Sequence, residues 1–184
     1  MWLELSFFII VSKLPKNQLL DKIIRVNHAG EYGAKRIYQG QIAFSKNPKM
    51  LALLEEMYQN ELEHLQFFSE EMKSRKIRPT MLFPLWHMTG YALGAITGML
   101  GEKAAMACTY AVEDVIEDHY EKQLKDLDDD EEHLKDNITK FQSEEVHHKK
   151  IAEQYNIDQD LLCNAVNKIV KISSRTAIWL SEKF

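Results

Sequence analysis

Near its C-terminal end the chain reads FQSEEVHHKKIAEQY, and an E-x-x-H spacing fits there twice, as Glu144 with His147 or as Glu145 with His148. Residues three apart on a helix share a face, so a carboxylate and an imidazole at this spacing can reach one cation. One such pair alone is weak evidence, because most are surface pairs. A second pair, Glu61 with His64, lies in NELEHLQFF. Each pair is preceded by a further glutamate at nearly the same interval: Glu31, in NHAGEYGA, stands before Glu61 as Glu113, in YAVEDVIEDHY, stands before Glu145. The pattern of a Glu followed by E-x-x-H is therefore stated twice, with a nearly constant offset between the halves. An internal duplication of a two-helix unit would produce this.

Four antiparallel helices that project Glu, ExxH, Glu and ExxH inward build a carboxylate-bridged dinuclear iron or manganese site. The residue types suit that chemistry. Carboxylates bind hard cations and bridge two of them, and each imidazole adds a neutral nitrogen donor. Four glutamates offset the four positive charges of two divalent ions, which makes the site tolerable in a dry interior. Periodicity chooses the register at the double motif. Ile138, Phe141, Glu145, His148, Ala152 and Tyr155 form one stripe, apolar or aromatic apart from the two candidate ligands. The register through Glu144 and His147 passes Asn137, Lys140, Ile151 and Gln154 and reads as the wet face. Leu54, Met57, Glu61, His64 and Phe68 form a similar stripe, as do Met106, Glu113, Tyr120 and Leu124, and Ile24, Glu31, Tyr38 and Ile42. A charged residue on a core face needs a partner, and with acids on every side a cation is the simplest one. His119 and Tyr120 lie close to Glu113 along the chain and are candidates to support the ligands from outside. His28, an H-x-x-E partner of Glu31, breaks the repeat and is assigned a supporting or surface role.

The elements that carry these residues are helices. Glycine and proline are scarce, at 7 and 4, and apolar residues recur at three and four rather than at two. The spacing predicts a first helix from about Asp21 to Ser45, broken by Asn47-Pro48, and a second from Pro48 to about Lys76. A third helical region runs from Pro84 to about Leu127. The acidic run DLDDDEE forms a solvated turn and caps a fourth helix ending near Tyr155, and a fifth follows Asp158 to the end. A chain of 184 residues with 45% apolar content forms one domain, read over residues 21–184 after an N-terminal extension over 1–20.

The stretch from Met81 to Gly101 contains no acid, lysine or arginine, and it is long enough to span a bilayer. Spanning conflicts with the site, since the two halves of the ligand set would fall on opposite sides. The stretch is therefore expected to lie in the membrane interface or to cap the bundle with a lipid-facing surface. Gly90, Gly94 and Gly98 recur every fourth position and offer a small-residue face for close helix approach. The bland alternative is an ordinary buried helix. A store of soluble iron needs no lipid-seeking face; an enzyme acting on a lipid does.

The net charge of −5 and the lack of a dense basic stripe argue against nucleic acid. Cys108 and Cys163 lie far apart, form no CxxC and read as reduced core residues. The start, MWLELSFFIIVSKLPKN, matches neither a signal peptide nor a transit peptide, and its opening segment, 1–11, is either a membrane-surface segment or a misassigned start. No Gly-rich dinucleotide fingerprint follows a strand.

The segments DKIIRVNHAGEYGAKRIYQGQ, RPTMLFPLWHMTGYALGAITGMLGEKAAMACTYAVE and SSRTAIWLSEKF closely resemble the demethoxyubiquinone hydroxylases of ubiquinone biosynthesis, over roughly Asp21 to Phe184. HAGEYGA and MACTYAVE are far more specific than ExxH alone. The resemblance implies an all-α, ferritin-like four-helix bundle with an additional apolar membrane-interface segment and a C-terminal helix. It implies two Fe ions per chain and O2 as co-substrate, with electrons from NADH or another donor. The substrate would be a polyprenylated demethoxyquinol, hydroxylated at C6 in the penultimate step of the pathway. Carried over by position, the metal ligands are Glu31, Glu61, His64, Glu113, Glu145 and His148. Arg175 and Trp179 match the end of the last helix, where the family is thought to receive electrons. The implied location is peripheral on the inner membrane, on the cytoplasmic face in a bacterium or the matrix face in a mitochondrion. Partners would be the quinol, the membrane surface and other ubiquinone-biosynthesis proteins. Two rival readings are a ferritin- or rubrerythrin-like iron oxidase or store, which predicts a shell assembly, and a metal-free helical protein that associates with membranes.

Overall fold

The computed structural model describes residues 15–184. The expectation for segment 1–11 lies outside the described residues. Six α-helices follow one another: α1 (Lys16–Phe44), α2 (Pro48–Arg75), α3 (Phe83–Leu100), α4 (Glu102–Asp126), α5 (Glu132–Glu153) and α6 (Leu161–Lys183). Short 3-10 turns lie over Asp129–Glu131, within the acidic run, and Ile157–Gln159. Local chemistry sets the ends. The Asn47 side chain accepts from the Lys49 amide at 2.9 Å and Pro48 opens α2. Asp160 caps α6 by accepting from the Leu162 and Cys163 amides.

The helices α1, α2, α4 and α5 form the ferritin-like bundle. The first hairpin, α1–α2, turns over three residues, and the second, α4–α5, turns through the acidic run. α3 crosses between the hairpins and lies against α1, while α6 lies against α4 and α1. The core has two large plugs and a smaller cluster of Cys108, Ala111, Val112 and Val170. Ile24, Phe68, Tyr120, Leu134, Ile138 and Phe141 belong to one plug, and Tyr38, Met50, Leu54, Met57, Met106 and Ala152 to the other. The residues of each sequence stripe at Glu31, Glu61, Glu113 and Glu145 fall in both plugs, so the four acids lie between them. α1 starts at Lys16, five residues before the sequence-based start, and Leu20 is already in the core.

The region expected as one helix from Pro84 to Leu127 is two. Gly101 takes φ +106, a conformation that a side-chain-bearing residue rarely adopts, and there α3 ends and α4 departs in a new direction. The small-residue face expected on α3 is buried on α1. A Cβ built at Gly94 would stand 1.9 Å from the Ile37 carbonyl oxygen, and one at Gly40 would stand 2.4 Å from that of Tyr91. The two backbones touch, and only glycine permits it. The opposite face of α3 is open: Met88, Ile96, Met99 and Leu100 are exposed, with Met81 just before it. The stretch is therefore not an ordinary buried helix. Among the described residues, no helix is long and apolar enough to cross a membrane.

Candidate metal centre

Each bundle helix brings its candidate ligands to the centre because they share a face with large apolar residues. Leu54, Phe68, Ile138 and Ala152 are fully buried on the stripes of Glu61, His64, Glu145 and His148. The acids are carried inward with them: Glu31, Glu61, Glu113 and Glu145 are 0 to 3% exposed, and His64 and His148 are 0 and 1% exposed. Two donor sets result. Glu31, Glu61, His64 and Glu145 offer atoms within 4.8 Å of one another, and so do Glu61, Glu113, Glu145 and His148. Glu61 and Glu145 belong to both sets. Glu31 and His64 belong to one, Glu113 and His148 to the other.

The imidazoles are aligned for this. His64 Nδ1 faces inward, 3.1 Å from Glu145 Oε1 and 3.4 Å from Glu31 Oε2. His148 Nδ1 lies 3.2 Å from Glu145 Oε2 and 3.9 Å from Glu61 Oε1. Both rings turn Nε2 outward. His64 Nε2 meets Glu144 Oε2 at 2.8 Å, and His148 Nε2 meets the Asn60 side-chain amide at 3.1 Å. Asn60 and Glu144 occupy equivalent places, each just before the E-x-x-H of its helix, and each steadies the imidazole of the opposite helix. Such outer contacts fix ring orientation and ligand basicity.

Two tyrosines complete the cage. Tyr38 O–H donates to Glu113 Oε1 at 2.8 Å, and Tyr120 O–H donates to Glu31 Oε1. Tyr38 follows Glu31 by seven residues and Tyr120 follows Glu113 by seven. Each half of the repeat thus secures the carboxylate of the other.

A cation fits what the residues leave open. Neither carboxylate oxygen of Glu61, nor Nδ1 of His64, has a hydrogen-bond partner, although all are buried. Among the described residues, none of the four glutamates pairs with a lysine or arginine; their only ion-pair partners are His64 and His148. The strain shows in the protonation. Burial, then the neighbouring Glu145, Glu31 and Glu113, hold Glu61 well above the usual carboxylate range. Burial and Glu145 push Glu113 up as well, against the Tyr38 hydrogen bond. Burial would lower His64, but the Glu145 and Glu31 carboxylates outweigh it and raise it to about 11. Burial would raise Glu145, but contacts from His148 and His64 prevail and take it to about 2. The metal-free centre thus holds protons that divalent cations would displace.

The other sequence candidates divide. Tyr120 is at the centre. His119 is not: it is half-buried, contacts Gln123 Nε2 at 2.7 Å, and burial lowers it to about 4. Arg175 and Trp179 are exposed on α6, and the structure does not bring them to the carboxylates. His28 stacks on Phe83 at 5.8 Å and belongs to neither donor set. Tyr38, Asn60 and Glu144 were missed as site residues by the sequence reading. Tyr38 could have been found by carrying the Glu-to-Tyr spacing across the repeat.

An apolar channel of about 470 Å³ runs between α1, α3, α4 and α6. Gly30, Gly33, Ile37, Leu93, Val112 and Ile116 form much of its wall, and Leu85 and Ile172 lie towards its exposed rim. A smaller void shares Ala34, Ile37 and Val112 with the channel and is closed by Tyr38, Thr109 and Glu113. That void is too tight to admit a water, so side chains separate the channel from the Glu113 carboxylate. Beside the channel, α3 and the residues before it are fastened to the end of α6: Trp86 Nε1 donates to Ser181 Oγ at 3.1 Å and the Met81 amide to the Phe184 carbonyl at 3.0 Å.

Residues 18–181 match the family model described as ubiquinone biosynthesis protein COQ7. The chain belongs to this family. All six residues of the two donor sets lie within the matched span. A relative from Dictyostelium discoideum, named NADPH-dependent 3-demethoxyubiquinone 3-hydroxylase, mitochondrial, is 42% identical over 171 residues, covering 91% of this chain and 79% of the relative. The 3-demethoxyubiquinol 3-hydroxylase of Rhodospirillum rubrum is 43% identical over 166 residues, 90% of this chain and 78% of its own. The Homo sapiens relative, also named NADPH-dependent 3-demethoxyubiquinone 3-hydroxylase, mitochondrial, is 41% identical over 168 residues, 89% and 77% of the two chains.

Proposed function

We propose that this protein hydroxylates a polyprenylated demethoxyubiquinol, using O2, at a dinuclear iron centre. Glu31 and His64 would hold one ion and Glu113 and His148 the other, with Glu61 and Glu145 common to both donor sets. One observation carries the reading: two overlapping donor sets stand beside an apolar channel of ligand size, on helices α1 and α4 that also form its wall. A shell-forming iron store has no use for that channel. The hydroxyl enters at the ring carbon that bears hydrogen where ubiquinone bears methoxy. The sequence resemblance numbers that carbon 6, while relatives' names number it 3 or 5; the chemical position is what matters.

Iron, when bound, supplies O2 activation and the redox steps that leave one oxygen atom on the ring and release the other as water. The chain's own residues do the rest. The channel wall excludes water and holds ring and tail apart from competing reactions. Tyr38 and Tyr120 orient the Glu113 and Glu31 carboxylates, and Glu144 and Asn60 orient the imidazoles. A reduced nicotinamide supplies the electrons; the Dictyostelium and human relatives are named NADPH-dependent, which favours NADPH over NADH. Exposed apolar residues of α3 and α6, among them Met88, Ile96, Met99, Ile169 and Ile172, face the membrane surface, from which the tail enters. On this reading the protein sits peripherally on the inner membrane, among other enzymes of ubiquinone biosynthesis, and these exposed apolar residues support it. The mitochondrial names of these two relatives favour the matrix face.

The test is iron content after expression in iron-fed cells. Two irons per chain are expected in the wild type and in a His147→Ala variant. A Glu145→Ala, His148→Ala double variant should lose them. Wild-type protein without stoichiometric iron would overturn the reading and leave a metal-free helical protein.

A further inference from the structure

The two donor sets match in their ligand types and in their tyrosines. Each has one Glu and one His of its own, Glu31 with His64 or Glu113 with His148, and both use Glu61 and Glu145. Tyr120 holds Glu31 as Tyr38 holds Glu113. The polar match fails at one place. Behind His64 stands a carboxylate, with Glu144 Oε2 2.8 Å from Nε2. Behind His148 stands a neutral amide, with Asn60 Nδ2 3.1 Å from Nε2. Asn60 and Glu144 occupy the same step of the repeat, so the two halves differ there by one unit of charge.

That difference acts on an ion through the ring. An ion taken at the inward Nδ1 leaves the ring proton on Nε2, where it has to be accepted. A carboxylate accepts it in a charge-assisted bond, roughly twice as strong as a neutral one, and makes the imidazole a better donor to the ion. Asn60 turns its Nδ2 towards His148, so its amide has to rotate before it can accept, and the bond it then makes is neutral. His148 Nδ1 also bonds Glu145 Oε2 at 3.2 Å, a contact that an ion there has to break. Lys140 Nζ, 3.7 Å from the other Glu144 oxygen, is exposed and offsets only part of the Glu144 charge. The proton that His64 holds in the metal-free protein does not reverse the order, because a divalent ion gains twice what a proton gains from the same carboxylates.

We propose that Glu144 makes the two ions inequivalent: the Glu31 and His64 set fills first and holds its ion more tightly, and the Glu113 and His148 set holds the more readily lost one. This rests on the dinuclear reading given above. Glu144 is a positioning residue that acts through His64. The looser ion is the one towards the channel, since Glu113, and not Glu31, lines the small void behind the channel wall.

Stepwise loading of the wild type alone does not test this, because a first ion repels a second whatever lies behind the imidazoles. Variants with one intact set do. Glu113→Gln leaves the Glu31 and His64 set whole, and Glu31→Gln leaves the Glu113 and His148 set whole. Cobalt(II), titrated into metal-free protein against a competing chelator and followed by its visible absorption, gives one affinity for each. Glu113→Gln should bind one cobalt about 10- to 100-fold more tightly than Glu31→Gln. Adding Glu144→Gln should remove that advantage and leave the Glu31→Gln protein unchanged. Adding Asn60→Asp to Glu31→Gln should tighten its ion by a similar factor. Equal affinities in the two variants, or the reverse order, would overturn the proposal. So would an equal loss from Glu144→Gln in both, the mark of a merely structural residue, or uptake of cobalt only as a pair, with neither variant holding one ion. A wild type that binds fewer than two cobalt ions would instead overturn the dinuclear reading, and this assignment with it.

Discussion

Glu61→Gln keeps the shape of the side chain and removes one unit of charge from a carboxylate that belongs to both donor sets. Glu31→Gln makes the same change in a residue that belongs to one. The magnitudes follow from geometry. The donor atoms of each set lie within 4.8 Å of one another, so an ion among them is about 4 Å or less from each carboxylate. At an effective dielectric of about 20, each unit charge pair at that range is worth about 4 kcal/mol. A divalent ion makes two such pairs with one carboxylate, so losing the charge costs at least about three powers of ten in affinity. Glu61→Gln therefore removes both ions, and Glu31→Gln removes one. The metal-free protein should respond differently. Burial and the surrounding carboxylates already favour a protonated Glu61, so a neutral amide leaves the unloaded melting temperature unchanged or raised. Free iron at about 100 times its dissociation constant stabilises by about 2.7 kcal/mol. For a chain of 184 residues that is a rise of about 5 to 11 °C. Thermal unfolding with and without ferrous iron under anaerobic conditions, beside elemental analysis, reads both effects. Wild type shows two irons and the full shift, Glu31→Gln one iron and a smaller shift, Glu61→Gln neither. A Glu61→Gln protein that retains both irons, or a Glu31→Gln protein that loses both, would refute the shared-carboxylate geometry.

Stability of the metal-free protein should depend on pH in a definite direction. His64 is raised to about 11, so its contribution is full below its ordinary value of 6.5 and declines as pH rises towards 11. Glu61 and Glu113 are raised above 4.5 and act with the same sign, while Glu145, lowered to about 2, acts only below 4.5. The unloaded melting temperature therefore falls between pH 6 and 9 on a calorimetric scan; a rise would contradict the protonation described. Gly94→Ala must move α3 about 1.5 Å to bring a 1.9 Å approach to ordinary contact, costing about 1–3 kcal/mol and lowering the melting temperature by about 2 to 12 °C. Gly33→Ala, with nothing within 4 Å of its added Cβ, should instead stabilise by about 0.5–1 kcal/mol. Tyr38→Phe and Tyr120→Phe each deprive one carboxylate of its donor, at about 1–3 kcal/mol, and by their matched roles should hasten iron loss to a chelator to a similar extent.

The six cluster residues were legible because each acid or imidazole lies on a stripe of large apolar residues. At 100° per residue the stripe decides which way a helix turns. That argument chose Glu145 and His148, and both are buried, while His147 is exposed. The same angle explains a candidate that did not hold. His119 follows Glu113 by six residues, about 240° around the helix, whereas Tyr120 follows by seven and returns to the same face. Contacts between helices were less legible. Glu144 sits on the wetter face of α5, as its sequence suggests, yet its side chain reaches the outer nitrogen of His64 on α2. No period within one helix encodes that reach. The break at Gly101 was hidden because the apolar pattern continues through it, and only the positive φ marks the turn. Arg175 and Trp179 rested on resemblance alone, and their outward placement on α6 shows no local physical signal for a role at the centre.

The most direct test of the account is to supply iron-loaded protein with a reductant, a demethoxyubiquinol carrying a short prenyl tail, and ¹⁸O2, and to weigh the product by mass spectrometry. The account predicts a hydroxylated quinol with one ¹⁸O atom on the ring carbon that lacked methoxy, absent without iron and absent with Glu61→Gln. Iron oxidation without any ring product, or a product whose new oxygen comes from water, would contradict it.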